Sequence, residues 1–202
     1  MTRVISSYEE LTQEADASPL NPIEILQKES LNWRITDQLI KKIVKRINLG
    51  KDRANTLGRI GEINARYHLS RTLHKYGYRW SSKLKPMTYQ IQHLYRGYKG
   101  IDFYVVVMDI NNKTWKLMIE VSNWASYGVG YFYKTRVKQK FIRYDRYHRC
   151  YHLWIVNHRN ANRVTEEAKR DKIILLPVAE HITPDFIKRR YKANDIEQET
   201  IW

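Results

Sequence analysis

G-I-D-F-Y-V-V-V-M-D-I-N-N-K-T-W-K-L-M-I-E-V-S-N, from Gly100 to Asn123, is the stretch on which the fold turns. It reads as two β-strands joined at Asn111-Asn112-Lys113, both β-branched and too apolar for a surface hairpin. Each strand is interrupted by one carboxylate, Asp102 in the first and Glu120 in the second. Burying a lone carboxylate is costly or forces its protonation, so both acids are expected to be paired or to coordinate something. Antiparallel neighbours lie about 4.8 Å apart, close enough for two acids at one level to share a hard cation. Side chains alternate along a strand, which sends Glu120 and Ser122 to one face and Val121 and Asn123 to the other.

Upstream, Asn55 to Tyr76 reads as a long helix ending before Gly77. Glu62, Ala65, Leu69, Leu73 and Tyr76 share one side of it, so Glu62 is expected on the side that faces the core. Two readings of that acid stand open: an ion pair with Arg59 or Arg66 at helix spacing, or a third acidic group beside Asp102 and Glu120. Before it, Thr36 or Asp37 caps a helix through Ile47, stopped by Gly50. Its apolar stripe of Leu39, Ile40, Ile43, Val44 and Ile47 leaves Lys41, Lys42, Lys45 and Arg46 outside. Met87 to Tyr95 reads as a strand, followed by a turn over residues 96–100. Residues 1–32 mix acids with Pro19 and Pro22, carry short helical patches at Tyr8–Ala15 and Ile23–Gln27, and are expected to form an acidic N-terminal appendage to an α/β domain over 33–202.

Downstream, Trp124 to Gly130 has no period and reads as a strand-to-helix connection. Tyr131 to Arg149 is the densest basic stretch, a predicted helix with Val137, Phe141 and Tyr144 inward. Its bases Lys134, Arg136, Lys138, Lys140, Arg143 and Arg146 are candidates for holding a phosphate backbone, against a plain solvated helix face. Residues 151–156 form a predicted strand, 160–172 a helix and 173–178 a strand. A last helix starts with Thr183 as N-cap and Pro184 at its first position. A meander of strands followed by helix–strand alternation implies an α/β fold, a mixed sheet with helices on both faces.

Composition narrows the function classes. At 202 residues and 43% hydrophobic, the chain can bury one sizeable core. It contains no run of 18 apolar residues and its start lacks the apolar region of a secretory signal, so a soluble, intracellular (cytoplasmic) protein is expected. Cys150 is the only cysteine, which excludes an internal disulfide and a cysteine-rich zinc site. The net charge is +15 and the pI about 9.8. Residues 1–32 hold six acids against two bases, a net −4, so the remainder carries +19. A body this basic attracts polyanions, of which nucleic acid is the commonest inside cells. There is no P-loop, G-x-S-x-G or H-E-x-x-H; His148 and His152 lie four apart but with a helix-to-strand boundary expected between them, and His68 and His74, six apart, do not share a helix face, so neither pair is expected to share a metal.

A glutamate in a helix, G-I-D-F in one strand, I-E-V-S in the next, a basic helix and a further apolar strand together resemble the PD-(D/E)xK nuclease superfamily. That superfamily includes restriction endonucleases, archaeal Holliday-junction resolvases and small nucleases of archaeal viruses, and the likeness covers Asn55 to Val156. The resemblance implies a restriction-endonuclease-like mixed sheet flanked by helices. It implies a metal-dependent endonuclease that hydrolyses DNA phosphodiester bonds with Mg²⁺ or Mn²⁺, leaves 5′-phosphate and 3′-hydroxyl ends and works as a homodimer, with branched DNA such as a Holliday junction among the candidate substrates. On this likeness Asp102 and Glu120 match the family's cation ligands and Glu62 its helical glutamate.

One position departs from the pattern. The family's lysine would fall two residues after Glu120, where this chain has Ser122, and a hydroxyl cannot supply a positive charge beside the scissile phosphate. Lys116 lies four strand residues from Glu120, about 13 Å away, too far to substitute. Three arrangements stand open: Lys134 or Lys138 reaches the same point from the following helix, the cation works without a lysine, or the site is inactive and the fold persists as a nucleic-acid-binding protein.

Overall fold

The computed structural model describes residues 21–47, 49, 53–94, 100–123, 128–179 and 182–199. At its centre, β3 (Phe103–Met108) and β4 (Thr114–Ser122) pair antiparallel, from Phe103 opposite Ile119 to Met108 opposite Thr114. The turn between them is tied by Asp109, whose Oδ1 accepts the N–H groups of Asn111 at 2.9 Å and Lys113 at 2.8 Å. Asn112 takes a left-handed φ of 61°, a conformation asparagine tolerates better than most residues.

The hairpin is the middle of a six-stranded mixed sheet in sequence order. On one side β2 (Thr88–His93) pairs antiparallel with β3, and the two-residue edge β1 (Arg79–Trp80) runs parallel to β2. On the other side β5 (Tyr151–Asn157) and β6 (Ile173–Val178) continue parallel to β4. The parallel pairs β4–β5 and β5–β6 are joined by crossover helices. These are the basic stretch, made of α4 (Val129–Phe132), a π-helical segment (Tyr133–Val137) and α5 (Lys138–His148), and then α6 (His158–Arg170).

Strand alternation divides the core into two layers. Phe103, Val105, Leu117, Ile119, Leu153 and Ile155 pack under α1 (Pro22–Ser30) and α3 (Arg53–Lys75), through Leu26, Leu69 and Leu73. Met118, Trp154 and Val156 face the opposite way, against Tyr133, Val137 and Phe141 of the basic crossover and Val164 of α6. Burying a side chain the size of Phe141 or Leu69 favours folding by roughly 1.5–3 kcal/mol each, so both layers hold the sheet. A third cluster joins α2 (Asp37–Val44) and α7 (Pro184–Glu199) to the outer side of α3 through Leu39, Ile43, Ile60 and Ile187.

The chain is thus an α/β fold with a six-stranded mixed sheet and helices on both faces. The helix starts follow the expected caps: Thr36 Oγ1 accepts Leu39 N–H at 3.2 Å and Thr183 Oγ1 accepts Phe186 N–H at 3.1 Å. Residues 22–30 of the acidic N-terminal stretch pack onto the domain: Asn21 caps α1, and its Ile23, Ile25 and Leu26 are buried in the main core. Residues 1–20, including the helical patch at 8–15, lie outside the described residues.

Candidate active site

The β3–β4 register sets the geometry. Phe103 lies opposite Ile119 at the end of the β3–β4 ladder, and Asp102, the residue just before β3, reaches across to β4 with its side chain. Both acids lie on the face shared by Met118 and Trp154. Asp102 is 9% and Glu120 3% exposed. Asp102 Oδ2 accepts Val121 N–H at 2.8 Å. Glu120 Oε1 accepts from Lys140 Nζ at 2.5 Å, while the buried Glu120 Oε2 has no hydrogen-bond partner among the described residues.

Electrostatics disfavours two bare charges in this arrangement. Two ionised carboxylates about 5 Å apart repel by about 3 kcal/mol at an effective dielectric of about 20. Lys140 brings one positive charge to two negative ones. Burial therefore raises Asp102 to about 6; Lys140 and the Val121 N–H oppose the shift, Glu62 adds to it and His93 opposes it. Glu120 is pushed well above the ordinary glutamate value by burial first and by Asp102 second, again with Lys140 opposing. A divalent cation would relieve the desolvation of both acids, and the orphan Glu120 Oε2 is a hard oxygen ready for it.

Glu62 approaches from the other side of the sheet. Its Oε2 lies 3.3 Å from His93 Nε2, and the His93 ring packs edge-on against Phe103, with centroids 4.7 Å apart. The charge of Glu62 is felt by Asp102 and Glu120 alike. Its position is set by Gly61, where a Cβ would meet Asn123 Cβ at 2.5 Å, so only glycine lets α3 come this close to the end of β4. Asn123 completes the joint by donating from Nδ2 to Leu57 O at 3.0 Å and Ile182 O at 2.9 Å. Among the described residues no three His, Cys, Asp or Glu side chains gather into a ready-made metal cage. The candidate ligand set is therefore the pair Asp102 and Glu120, with Glu62 one step away and engaged by His93.

The lysine at the carboxylates is Lys140, whose side chain is 14% exposed, and not Lys134 or Lys138. Lys138 Nζ is held by Asp171 Oδ1 at 2.7 Å and Lys134 Nζ by Glu167 Oε1 at 3.2 Å. Helix geometry explains the split. At about 100° per residue, positions 138 and 140 diverge by about 200°, so they occupy opposite flanks of the stripe formed by Val137 and Phe141. One flank faces the turn before β6, the other the acidic end of β4. Tyr133 anchors this choice by donating its hydroxyl to Asp171 Oδ2 at 2.8 Å.

Ser122 lies on the face of Glu120 but inside the core, with its Oγ accepting from Trp154 Nε1 at 2.8 Å. Of the other expected nucleic-acid contacts, Arg136 is half-buried, Arg143 is exposed, and the Arg146 side chain lies outside the described residues. A larger cleft of about 900 Å³ lies away from the carboxylates, between the start of β5, α6 and β6. Protein-family models, curated proteins and solved structures yield no match to this chain. No helix among the described residues is long and apolar enough to cross a membrane.

Proposed function

We propose that the protein is a metal-dependent endonuclease hydrolysing DNA phosphodiester bonds, with a restriction-endonuclease-like fold. The observation that carries this reading is the buried pair Asp102 and Glu120 at the β3–β4 end of the sheet, with Lys140 on one Glu120 oxygen and the other oxygen without a partner among the described residues. Such a donor set suits Mg²⁺ or Mn²⁺, which bind oxygen ligands and tolerate incomplete protein coordination. When bound, such a cation supplies Lewis acidity toward a phosphoryl oxygen and lowers the pKa of water.

The chain's own groups divide the remaining work. Asp102 and Glu120 hold negative charge at a fixed point, because Val121 N–H orients one carboxylate and Lys140 the other. Lys140 takes the role the family motif assigns to the residue two after its second acid: were Glu120 to hold a cation, the Lys140 ammonium would be free to face the charge that builds on the phosphate. Ser122 holds Trp154 and takes no part in the reaction. Glu62 and His93 tune the charge at the site from behind. A homodimer, which would place two such sites on one duplex or junction, belongs to this proposal.

A second reading, a catalytically inactive nucleic-acid-binding protein on the same fold, is favoured by one feature, the ion pair that already neutralises Glu120. Cleavage of labelled linear, single-stranded and four-way-junction DNA in about 5 mM Mg²⁺ or Mn²⁺, enough to saturate a weak oxygen-ligand site, separates the two. Cutting that requires the metal and is lost in Asp102→Ala and Glu120→Ala supports the nuclease. Salt-sensitive binding without cutting on any substrate supports the second reading and removes the first.

A further inference from the structure

A cleft of about 500 Å³ opens between α2, α3 and the end of β2, immediately behind the carboxylates. Its inner wall includes Glu62, His93 and Phe103, the neighbour of Asp102. Its outer wall is basic: Lys42 and Arg46 come from α2, Arg66 and Arg71 from α3. Among the described residues none of Lys42, Arg46 and Arg66 forms an ion pair with a carboxylate, in contrast to Lys134, Lys138 and Lys140 on the basic crossover. Glu62, the one acid in the wall, is engaged by His93. The cleft therefore presents several positive charges that no described carboxylate pairs with.

Tyr67 organises that charge. Lys42 Nζ stands 5.5 Å and the Arg71 guanidinium carbon 5.4 Å from the centroid of its ring, and Arg71 Nη1 donates to its hydroxyl at 2.7 Å. Two cations are thus held apart by one buried aromatic. A concave wall of this kind focuses positive potential on its interior. Arginine forks match phosphate oxygens in geometry as well as charge. The volume lies in the range of pockets that enclose small ligands, so it takes a short single-stranded segment and not a duplex.

We propose that this cleft binds backbone phosphates of a single nucleic-acid strand. That the bound strand is also the one cut rests on the nuclease reading; binding in the cleft does not. The partner is nucleic acid and not an acidic peptide, because a strand carries a charge at every backbone phosphate and so engages Lys42, Arg46 and Arg66 together.

The test is fluorescence anisotropy of a labelled single-stranded oligonucleotide with the full chain in EDTA, over about 50 to 200 mM salt. It compares wild type with the triple variant Lys42→Ala, Arg46→Ala, Arg66→Ala and with the control Lys188→Ala, Arg189→Ala on the exposed side of α7. All five side chains are exposed, so both variants are expected to fold, and circular dichroism checks that they do. The triple variant should lose at least about tenfold in affinity and about two units of salt slope, from roughly 0.7 per phosphate contact on a single strand. The control should lose much less. Unchanged affinity and slope in the triple variant, or an equal loss in the control, overturns the proposal; so does displacement of the oligonucleotide by poly-glutamate at matched charge. If wild type cuts DNA while the triple variant still binds normally, this proposal fails and the nuclease stands. If nothing is cut but the triple variant loses binding, the nuclease fails and the cleft stands.

Discussion

Replacing Asp102 by asparagine should make the metal-free protein more stable at neutral pH. Asp102 is 9% exposed and its pKa is raised from 3.8 to about 6, with burial as the largest cause. A carboxylate whose folded pKa lies above its unfolded value binds protons more tightly in the folded state. Its charge therefore opposes folding in full above about pH 6, and that opposition fades as the pH falls toward 3.8. At about 1.4 kcal/mol per unit, the shift corresponds to about 3 kcal/mol. Asparagine keeps an oxygen to accept Val121 N–H and removes the charge. The Lys140–Glu120 pair remains. Urea unfolding in EDTA at pH 7.5 should show Asp102→Asn ahead by about 3 kcal/mol, or roughly 6–12 °C in Tm for a chain of this size. The difference should shrink as the pH drops through 6 and vanish near 4. Added Mg²⁺ should stabilise wild type at pH 7.5 and leave the variant unmoved. A variant less stable than wild type at pH 7.5, or a gain that persists at pH 4, would refute the view that desolvated charge dominates this residue.

Two further outcomes follow from the neighbouring contacts. Lys140→Met keeps most of the side chain's volume but strips Glu120 of its counter-charge, so stability at pH 7.5 should fall by about 3–5 kcal/mol. DNA cleavage should fall at least about a hundredfold with the cation saturating, whereas Lys138→Met should leave it nearly intact; the reverse pattern would move the catalytic lysine to the Asp171 flank. Gly61→Ala puts a methyl against Asn123 and should cost about 1–3 kcal/mol in thermal unfolding. Because α3 must then back away from β4, the same variant should weaken the coupling of Glu62 to the carboxylate pair, seen as a shift in the pH profile of cleavage.

Local sequence carried much of the fold. β-Branched runs marked β3, β4, β5 and β6, the 3.6-residue stripes marked α2 and α3, and Thr36 and Thr183 marked two helix starts. The two acids were legible because a carboxylate within an apolar run violates the run's own pattern. β1 was not legible: its two residues, Arg79 and Trp80, are both exposed and too few to show a period. Nor was the place of α1, since Ile23, Ile25 and Leu26 become core only once the sheet offers them a face. The basic cleft escaped notice because Lys42 and Arg46 lie outside the apolar stripe of α2 and look like ordinary solvated charge until α3 and β2 close around them.

By itself, then, the sequence determined an α/β chain, two apolar strands with an acid at each, and a strongly basic body; the structure places Asp102 one residue before β3. The tertiary structure alone decided which base meets the acids, because Lys138 and Lys140 are equivalent on a helix until one flank is turned toward Asp171 and the other toward Glu120. Periodicity tells which side of an element is buried; what lies across from each flank is a property of the packed whole, in which Gly61 and Asn123 bring α3 to the end of β4 and Tyr133 fixes the roll of the basic crossover.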